Sequence, residues 1–347
     1  MSETIVIGGG IAGLSAAWRL CREGHACTVV EAGKTGNGAS RVAAGYCEPG
    51  LEPDEISAME WESLRLWPQM AKELEAETNC EIDFRTDGQL RIAYPDIEAE
   101  LLADTARRRE LGWQVRVLSG SEARVLEPGL SEEVSAAVLL PQVSWVDGRK
   151  ACAALAAAIE ARGGRIVEGV RVERLTIRDG RVSGVETSGG PMPADRVLVA
   201  SGHLTNDIAG LPADLPASYS VKGVILTLKT DRPLVKHLIK TPQGVICPRN
   251  DGRLIVGVTR HVRDTTPLPA AGAVRTILES AVRAVPALEG LPLTEVNVGF
   301  RPYLEGDVSV SGAAPGIEGL FYSLGHMSDG YLRAPLMSLR VAEAMLA

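Results

Sequence analysis

Apolar residues fall along the chain in short unbroken runs. These alternate with longer stretches where they recur at every third or fourth position, the pattern of buried strands interleaved with helices. The first run, Ile5-Val6-Ile7, suits a parallel strand covered on both faces. It stops at Gly8-Gly9-Gly10-Ile11-Ala12-Gly13, and from Ile11 the spacing turns helical, with Leu14, Ala17, Leu20 and Cys21 on one face until Gly24. Residues 26–30 predict a second buried strand with Glu31 at its carboxyl end. Trp61, Leu64, Trp67, Met70 and Leu74 then recur at helical intervals within 56–77 and read as core rather than as a binding box. Residues 89–93 and 136–140 predict strands on either side of a charged helix over 98–111.

Asp147 is placed to cap an alanine-rich helix over 149–161 that ends at Gly163-Gly164. Residues 171–178 and 182–187 predict a hairpin turning on Asp179-Gly180, and 196–202 return as a buried strand ending in small residues. From 218 to 300 the pattern is mostly strand, at 221–228, 244–247, 253–258 and 293–300, with one helix over 273–285. A separate, mostly antiparallel sheet that interrupts the first domain in sequence is expected there. The carboxyl end predicts a strand over 319–323, a loop Gly325-His326-Met327-Ser328-Asp329-Gly330, and a helix over 331–347.

At 347 residues the chain can hold two domains and a large core. A net charge of −8 disfavours nucleic acid or an anionic membrane surface as the main partner, since both would be repelled at long range. No twenty-residue apolar segment occurs, and the first strand begins too early to leave room for a cleaved signal, so a cytoplasmic location is expected. Cys21, Cys27, Cys47, Cys80, Cys152 and Cys247 show no CxxC pairing and read as reduced thiols. Neither they nor His25, His203, His237, His261 and His326 stand at ligand spacing, so no metal is expected.

The chemistry begins with the glycines. Gly8 permits a tight turn, Gly10 lets backbone approach a pyrophosphate, and Gly13 lets the helix lie close on the strand. The amino end of that helix offers unpaired N–H groups and partial positive charge to phosphate, while Glu31 can accept from a ribose diol and would repel a 2′-phosphate. By itself this pattern leaves FAD and NAD both open. The small-residue stretch over 34–46 can lie close against a large flat ligand, and the glycine-bounded loop ending at Gly330 is a second helix start suited to a negative atom.

Taken together, residues 5–13 with Glu31, Ala43-Ala44-Gly45, Val199-Ala200-Ser201-Gly202, Gly299-Phe300-Arg301-Pro302 and the stretch from Gly325-His326 to Ala334-Pro335 resemble the D-amino-acid oxidase superfamily. Within it, length and loop order are most similar to the glycine oxidases, and the likeness spans nearly the whole chain. The resemblance implies non-covalently bound FAD and an α/β fold. One domain would be Rossmann-like, of the glutathione-reductase type, over 1–84, 144–217 and 306–347. A mostly antiparallel substrate sheet carrying helices would occupy 85–143 and 218–305.

FAD contacts are then expected at Gly8, Gly10, Ile11, Ala12, Gly13, Glu31, Ala32, Ala39, Ser40, Ala44, Gly45, Tyr46, Ala200 and Gly202. Val172 would touch the adenine through its backbone, and His326, Met327, Ser328, Asp329, Gly330, Tyr331 and Leu332 would face the flavin N1 and C2 carbonyl. Arg301 is expected to capture a substrate carboxylate, its planar fork suiting bidentate contact. The sequence departs from the glycine oxidases at three places. Ser328 stands where their closing loop has an arginine, Val245 where they have a pocket tyrosine, and Arg260 where they have a methionine. The pocket's positive charge is thus expected to have moved, with Arg260, Tyr46 and Ser328 as further candidate substrate contacts and glycine no longer the assured substrate.

The activity implied is oxidative deamination of a small amino acid or amine, such as glycine, sarcosine or a D-amino acid. It would give an oxo acid, ammonia or an amine, and hydrogen peroxide if oxygen accepts the electrons. A dehydrogenase serving another carrier, an oxidase of secondary amines such as N-carboxymethyl amino acids, and a non-catalytic FAD-binding protein are the rivals. Similar enzymes form tetramers, so a homotetramer or homodimer is expected, and some serve thiamine biosynthesis.

Overall fold

The computed structural model describes residues 3–347. Its first sheet runs in the order Val310–Ala313, Leu320–Leu324, Arg196–Val199, Thr4–Ile7, Thr28–Glu31, Arg165–Glu168, all parallel except the antiparallel edge strand Val310–Ala313. Alternation along these strands sends Val6, Val29, Leu198 and Phe321 into one core and Ile5, Ile7, Val30, Val197 and Val199 into another. Helices Ile11–Arg22, Glu55–Thr78, Gly148–Ala161 and Gly330–Leu346 contribute Leu14, Trp67, Leu155 and Val341 to the first core. A three-stranded meander, Val172–Arg178, Arg181–Thr187 and Gly190–Pro193, seals the second. Burial on both faces explains why the central strands Thr4–Ile7, Arg196–Val199 and Leu320–Leu324 are so largely apolar, while the edge strands are not.

The expected Asp147 cap is present, its carboxylate accepting from Arg149 N at 2.9 Å. The hairpin turns on Asp179 and Gly180, both at positive φ (51° and 75°). Trp61 packs at the edge of the core that holds Leu64, Trp67, Met70 and Leu74 and also meets Trp113 edge-on, with ring centres 4.6 Å apart.

A second sheet of nine strands joins residues 89–140 to residues 218–304. One pair in it is parallel, Leu238–Thr241 against Gln89–Ala93, and the other pairs are antiparallel. Within Ser218–Lys229, Val224, Leu226 and Leu228 pack under helix Ala271–Ala284, while Gly223 and Ile225 face the opposite way, toward the first sheet.

The strand expected over 293–300 extends to Leu304, so Arg301 stands within a strand, opposite Val221, rather than at a strand end. Pro302 marks a false stop. Leu293–Leu304 pairs on one side only, with Ser218–Lys229, and an edge strand tolerates a residue that donates no hydrogen bond. Short strands such as Arg116–Ser119, Leu238–Thr241 and Val310–Ala313 have too few residues for a period to show in sequence. Among the described residues, no helix is long and apolar enough to cross a membrane.

Candidate functional site

A cleft of about 1180 Å³ opens between the two sheets. One end is made of backbone. Gly8 takes φ +107°, and a Cβ there would lie 2.5 Å from the carbonyl oxygen of Ala200. A Cβ on Gly13 would lie 2.0 Å from the carbonyl oxygen of Gly8, so the helix sits as close to the strand as glycine allows. Among the opening amides of helix Ile11–Arg22, that of Ile11 donates to Ser40 Oγ at 3.0 Å. The remaining leading N–H groups have no partner one turn earlier and face the cleft wall formed by Gly10, Ile11 and Ala12.

Glu31 accepts from Gly9 N at 2.8 Å and Gly33 N at 2.7 Å, which fixes its carboxylate where strand meets cleft. Beyond it lies a smaller hollow of about 410 Å³ lined by Ala32, Arg171, Val172 and Asp207, which shares Gly8, Glu31, Ser201 and Leu204 with the main cleft.

The other end is made of side chains. Gly223 and Gly299 clear the space: a Cβ on the first would meet Arg301 Nη2 at 2.7 Å, and one on the second would meet Val42 Cβ at 3.0 Å. Into that space reaches Arg301, half-buried, its Nη1 and Nη2 each donating at 3.3 Å to the Thr259 carbonyl. Among the described residues it forms no ion pair with a carboxylate, and burial lowers its pKa, with Arg260 adding to the effect.

His326 lines the cleft fully buried. Its Nε2 lies 2.9 Å from Ser323 Oγ while Nδ1 has no partner, and burial, assisted by Arg333, pulls its pKa to about 4. The ring is therefore neutral at pH 7. Asp329, next along the loop, is pushed up to about 6 by burial and by Glu60. Arg333 braces this loop from behind, buried with Glu60 at 2.7 Å and 3.7 Å from Asp329.

The cleft thus gathers Gly8, Gly10, Ile11, Ala12, Glu31, Ala39, Ser40, Ala200, Gly202, Arg301, His326, Met327, Ser328, Gly330 and Tyr331. Ala32 and Val172 lie in the adjoining hollow. Other expected contacts do not line either space. Gly13 is a packing contact, and Leu332 is buried in the first core because its side chain points along the inner face of its helix. Ala44 and Gly45 form the support for the loop before them: Arg249 Nη2 donates to the Ala44 carbonyl at 2.6 Å, and a Cβ on Gly45 would meet the Val146 carbonyl at 2.2 Å.

Tyr46 packs beside Val245 and Ile225 with Lys240 Nζ 5.6 Å from its ring centre, and burial raises its hydroxyl pKa. Asp329 turns toward Arg333. Arg260 is exposed and outside the cleft lining, yet its Nη1 donates at 2.7 Å to the hydroxyl of Tyr303, which lies 3.4 Å from Ser328 Oγ. Val42, His203, Phe300 and Tyr303 were not anticipated. The rings of His203 and Phe300 meet at a tilt in the wall with centres 5.2 Å apart, an arrangement that no local signal reveals because they come from different segments.

Helix Gly330–Leu346 supplies a second set of leading amides, which face the cleft through Gly330 and Tyr331. Two helix starts, a carboxylate at a strand end and an unpartnered buried imidazole nitrogen suit a ligand with a pyrophosphate, a ribose and a ring system rich in acceptors. FAD fits those residues. Among the described residues, no cluster of three His, Cys, Asp or Glu could hold a metal ion.

A family model described as DAO, FAD dependent oxidoreductase, matches residues 3–344. Glycine oxidase of Geobacillus kaustophilus (strain HTA426) is 29% identical over 348 residues, covering 98% of this chain and 92% of that protein. Glycine oxidase of Pseudomonas putida is 28% identical over 340 residues, covering 96% and 91%. The crystal structure of glycine oxidase from Bacillus cereus ATCC 14579 shares the fold with a TM-score of 0.95 at 27% identity, covering 100% of this chain and 95% of that one.

Proposed function

The chain belongs to the DAO family of FAD-dependent oxidoreductases, and from that premise we propose that it oxidises a small amino acid or amine at the carbon bearing nitrogen. The observation that carries this reading is Arg301, a half-buried guanidinium in the cleft whose hydrogen bonds go to neutral carbonyls and which, among the described residues, forms no ion pair with a carboxylate. A substrate carboxylate supplies the missing anion, and such a charge-assisted contact contributes about 1.5–3 kcal/mol.

The residues divide the work. The Gly8–Gly13 turn, Glu31 and Ser40 hold the ADP half of FAD, with Ala32 and Val172 around the adenine. The amides leading helix Gly330–Leu346 stabilise negative charge on the flavin ring. When bound, FAD supplies the hydride acceptor for the substrate's α-carbon. Arg301 orients that carbon, while Val42, Ile225 and Val258 exclude water around it. His326 stays neutral and offers a nitrogen toward the ligand without adding charge. Residues 1–84, 144–217 and 306–347 would form the FAD unit and the remainder the substrate sheet.

Anaerobic mixing of the purified yellow protein with glycine, sarcosine, D-alanine, D-aspartate and iminodiacetate tests the reading, since turnover bleaches the flavin. Colourless protein, or no bleaching by any amine, rejects it. Oxygen uptake and peroxide release during aerobic turnover identify an oxidase. Bleaching with no oxygen uptake identifies a dehydrogenase serving another carrier.

A further inference from the structure

A second cation stands beside the first. Arg260 follows Thr259, the residue whose carbonyl accepts from Arg301, so two guanidinium groups are anchored on consecutive residues at one end of the cleft. The neighbouring Arg263 is neutralised by Glu305 at 2.7 Å. Arg260 and Arg301 are not. Among the described residues, neither forms an ion pair with a carboxylate, and Arg260 instead donates to the Tyr303 hydroxyl at 2.7 Å with its guanidinium 5.1 Å from that ring's centre. The nearby acid, Asp307, is engaged by the hydroxyl of Tyr219.

Tyr303 links the exposed cation to the cleft. It is buried, its hydroxyl lies 3.4 Å from Ser328 Oγ, and Ser328 lines the same cleft as Arg301. Because the Tyr303 oxygen accepts from Arg260, its proton is directed elsewhere, toward Ser328 or a ligand. After burial itself, Arg260 is among the groups that lower the pKa of Arg301, so an anion placed between the two guanidinium groups favours the charge on Arg301.

Resting on the reading of this site as an amine-oxidising one, we propose that the favoured substrate carries two carboxylates. One sits on Arg301, and the other is taken at the cleft mouth by Arg260 with the hydroxyls of Tyr303 and Ser328. Both α-amino dicarboxylic acids and secondary amines bearing two carboxymethyl groups meet this description.

The test is steady-state kinetics of the FAD-loaded full chain with D-aspartate, D-glutamate and iminodiacetate against glycine, sarcosine and D-alanine. A single charge-assisted contact predicts a kcat/KM preference for the dicarboxylates of about ten- to a hundredfold. Arg260→Met is expected to raise KM for dicarboxylates about tenfold more than for glycine, and Arg260→Lys to recover part of the loss. Whichever of D-aspartate and iminodiacetate turns over identifies the source of the second carboxylate. Preference for glycine or sarcosine over every dicarboxylate, or an equal effect of Arg260→Met on both classes, overturns the proposal and leaves amine oxidation standing. Absence of turnover with all six overturns both.

Discussion

The two ends of the cleft are built from different materials. The nucleotide end is backbone: a glycine turn at φ +107°, helix amides and one carboxylate held by two N–H groups. The substrate end is side chain: Arg301 and Tyr303 from strand Leu293–Leu304, Ser328 from the loop before the last helix, and Arg260; single hydrogen bonds join Arg260 to Tyr303 and Tyr303 to Ser328, while Arg301 is held by the Thr259 carbonyl. A backbone site recognises what all its ligands share and tolerates no change of shape. A side-chain site can be re-specified one residue at a time while the frame stays the same.

That contrast can be broken by substitution at each end. The largest effect is expected from Gly8→Ala, where left-handed strain of ~1–3 kcal/mol adds to overpacking of similar size against the Ala200 carbonyl. The protein should emerge colourless or insoluble, and normal FAD absorbance in this variant would show that the turn is not a backbone-built site. Next comes Arg301→Leu. Flavin absorbance should be retained while KM rises about ten- to a hundredfold, the equivalent of ~1.5–3 kcal/mol of lost charge-assisted contact. Loss of FAD together with activity would mean that the two ends are not separable.

Glu31→Gln sharpens the comparison from the other side. It keeps the shape and weakens the ribose contact by ~1 kcal/mol, so the FAD dissociation constant should rise about fivefold with substrate KM unchanged. An equilibrium titration of FAD reads the first quantity and initial rates the second.

The smallest net effect is acid sensitivity, because two groups on the loop between the ends oppose each other. His326 has its pKa lowered from 6.5 to about 4, so the stability it contributes is present above its unfolded value and lost as pH falls through about 4. Asp329 has its pKa raised from 3.8 to about 6, so it costs stability at neutral pH, and that cost is relieved as pH falls through about 6. Asp329→Asn should therefore raise the thermal midpoint near pH 7 and make its decline between about pH 6 and 4 steeper. A midpoint unchanged at every pH would show that the loop is open enough for water to screen both groups.

Much of the frame was legible from sequence. The unbroken apolar runs of Thr4–Ile7 and Thr28–Glu31, the cap at Asp147 and the turn at Asp179-Gly180 all appear where the pattern puts them, because each depends on neighbours a few residues away. Arg301 lines the cleft, but the strand that carries it runs further than the pattern predicts. Pro302 reads as a strand end, and only pairing with Ser218–Lys229 on one side shows why the strand continues to Leu304.

By itself, then, the sequence determined the nucleotide end, since glycine, helix start and acid lie within residues 8–31 and local backbone geometry suffices to assemble them. Tertiary structure decided the rest. Register between Leu293–Leu304 and Ser218–Lys229 sets Arg301 beside Gly223, and the loop before helix Gly330–Leu346 brings Ser328 to Tyr303 and hence to Arg260. The physical reason is one of range. Side-chain convergence depends on which strands pair and which face each residue takes, and a shift of one residue in register would turn Arg301 away from the cleft.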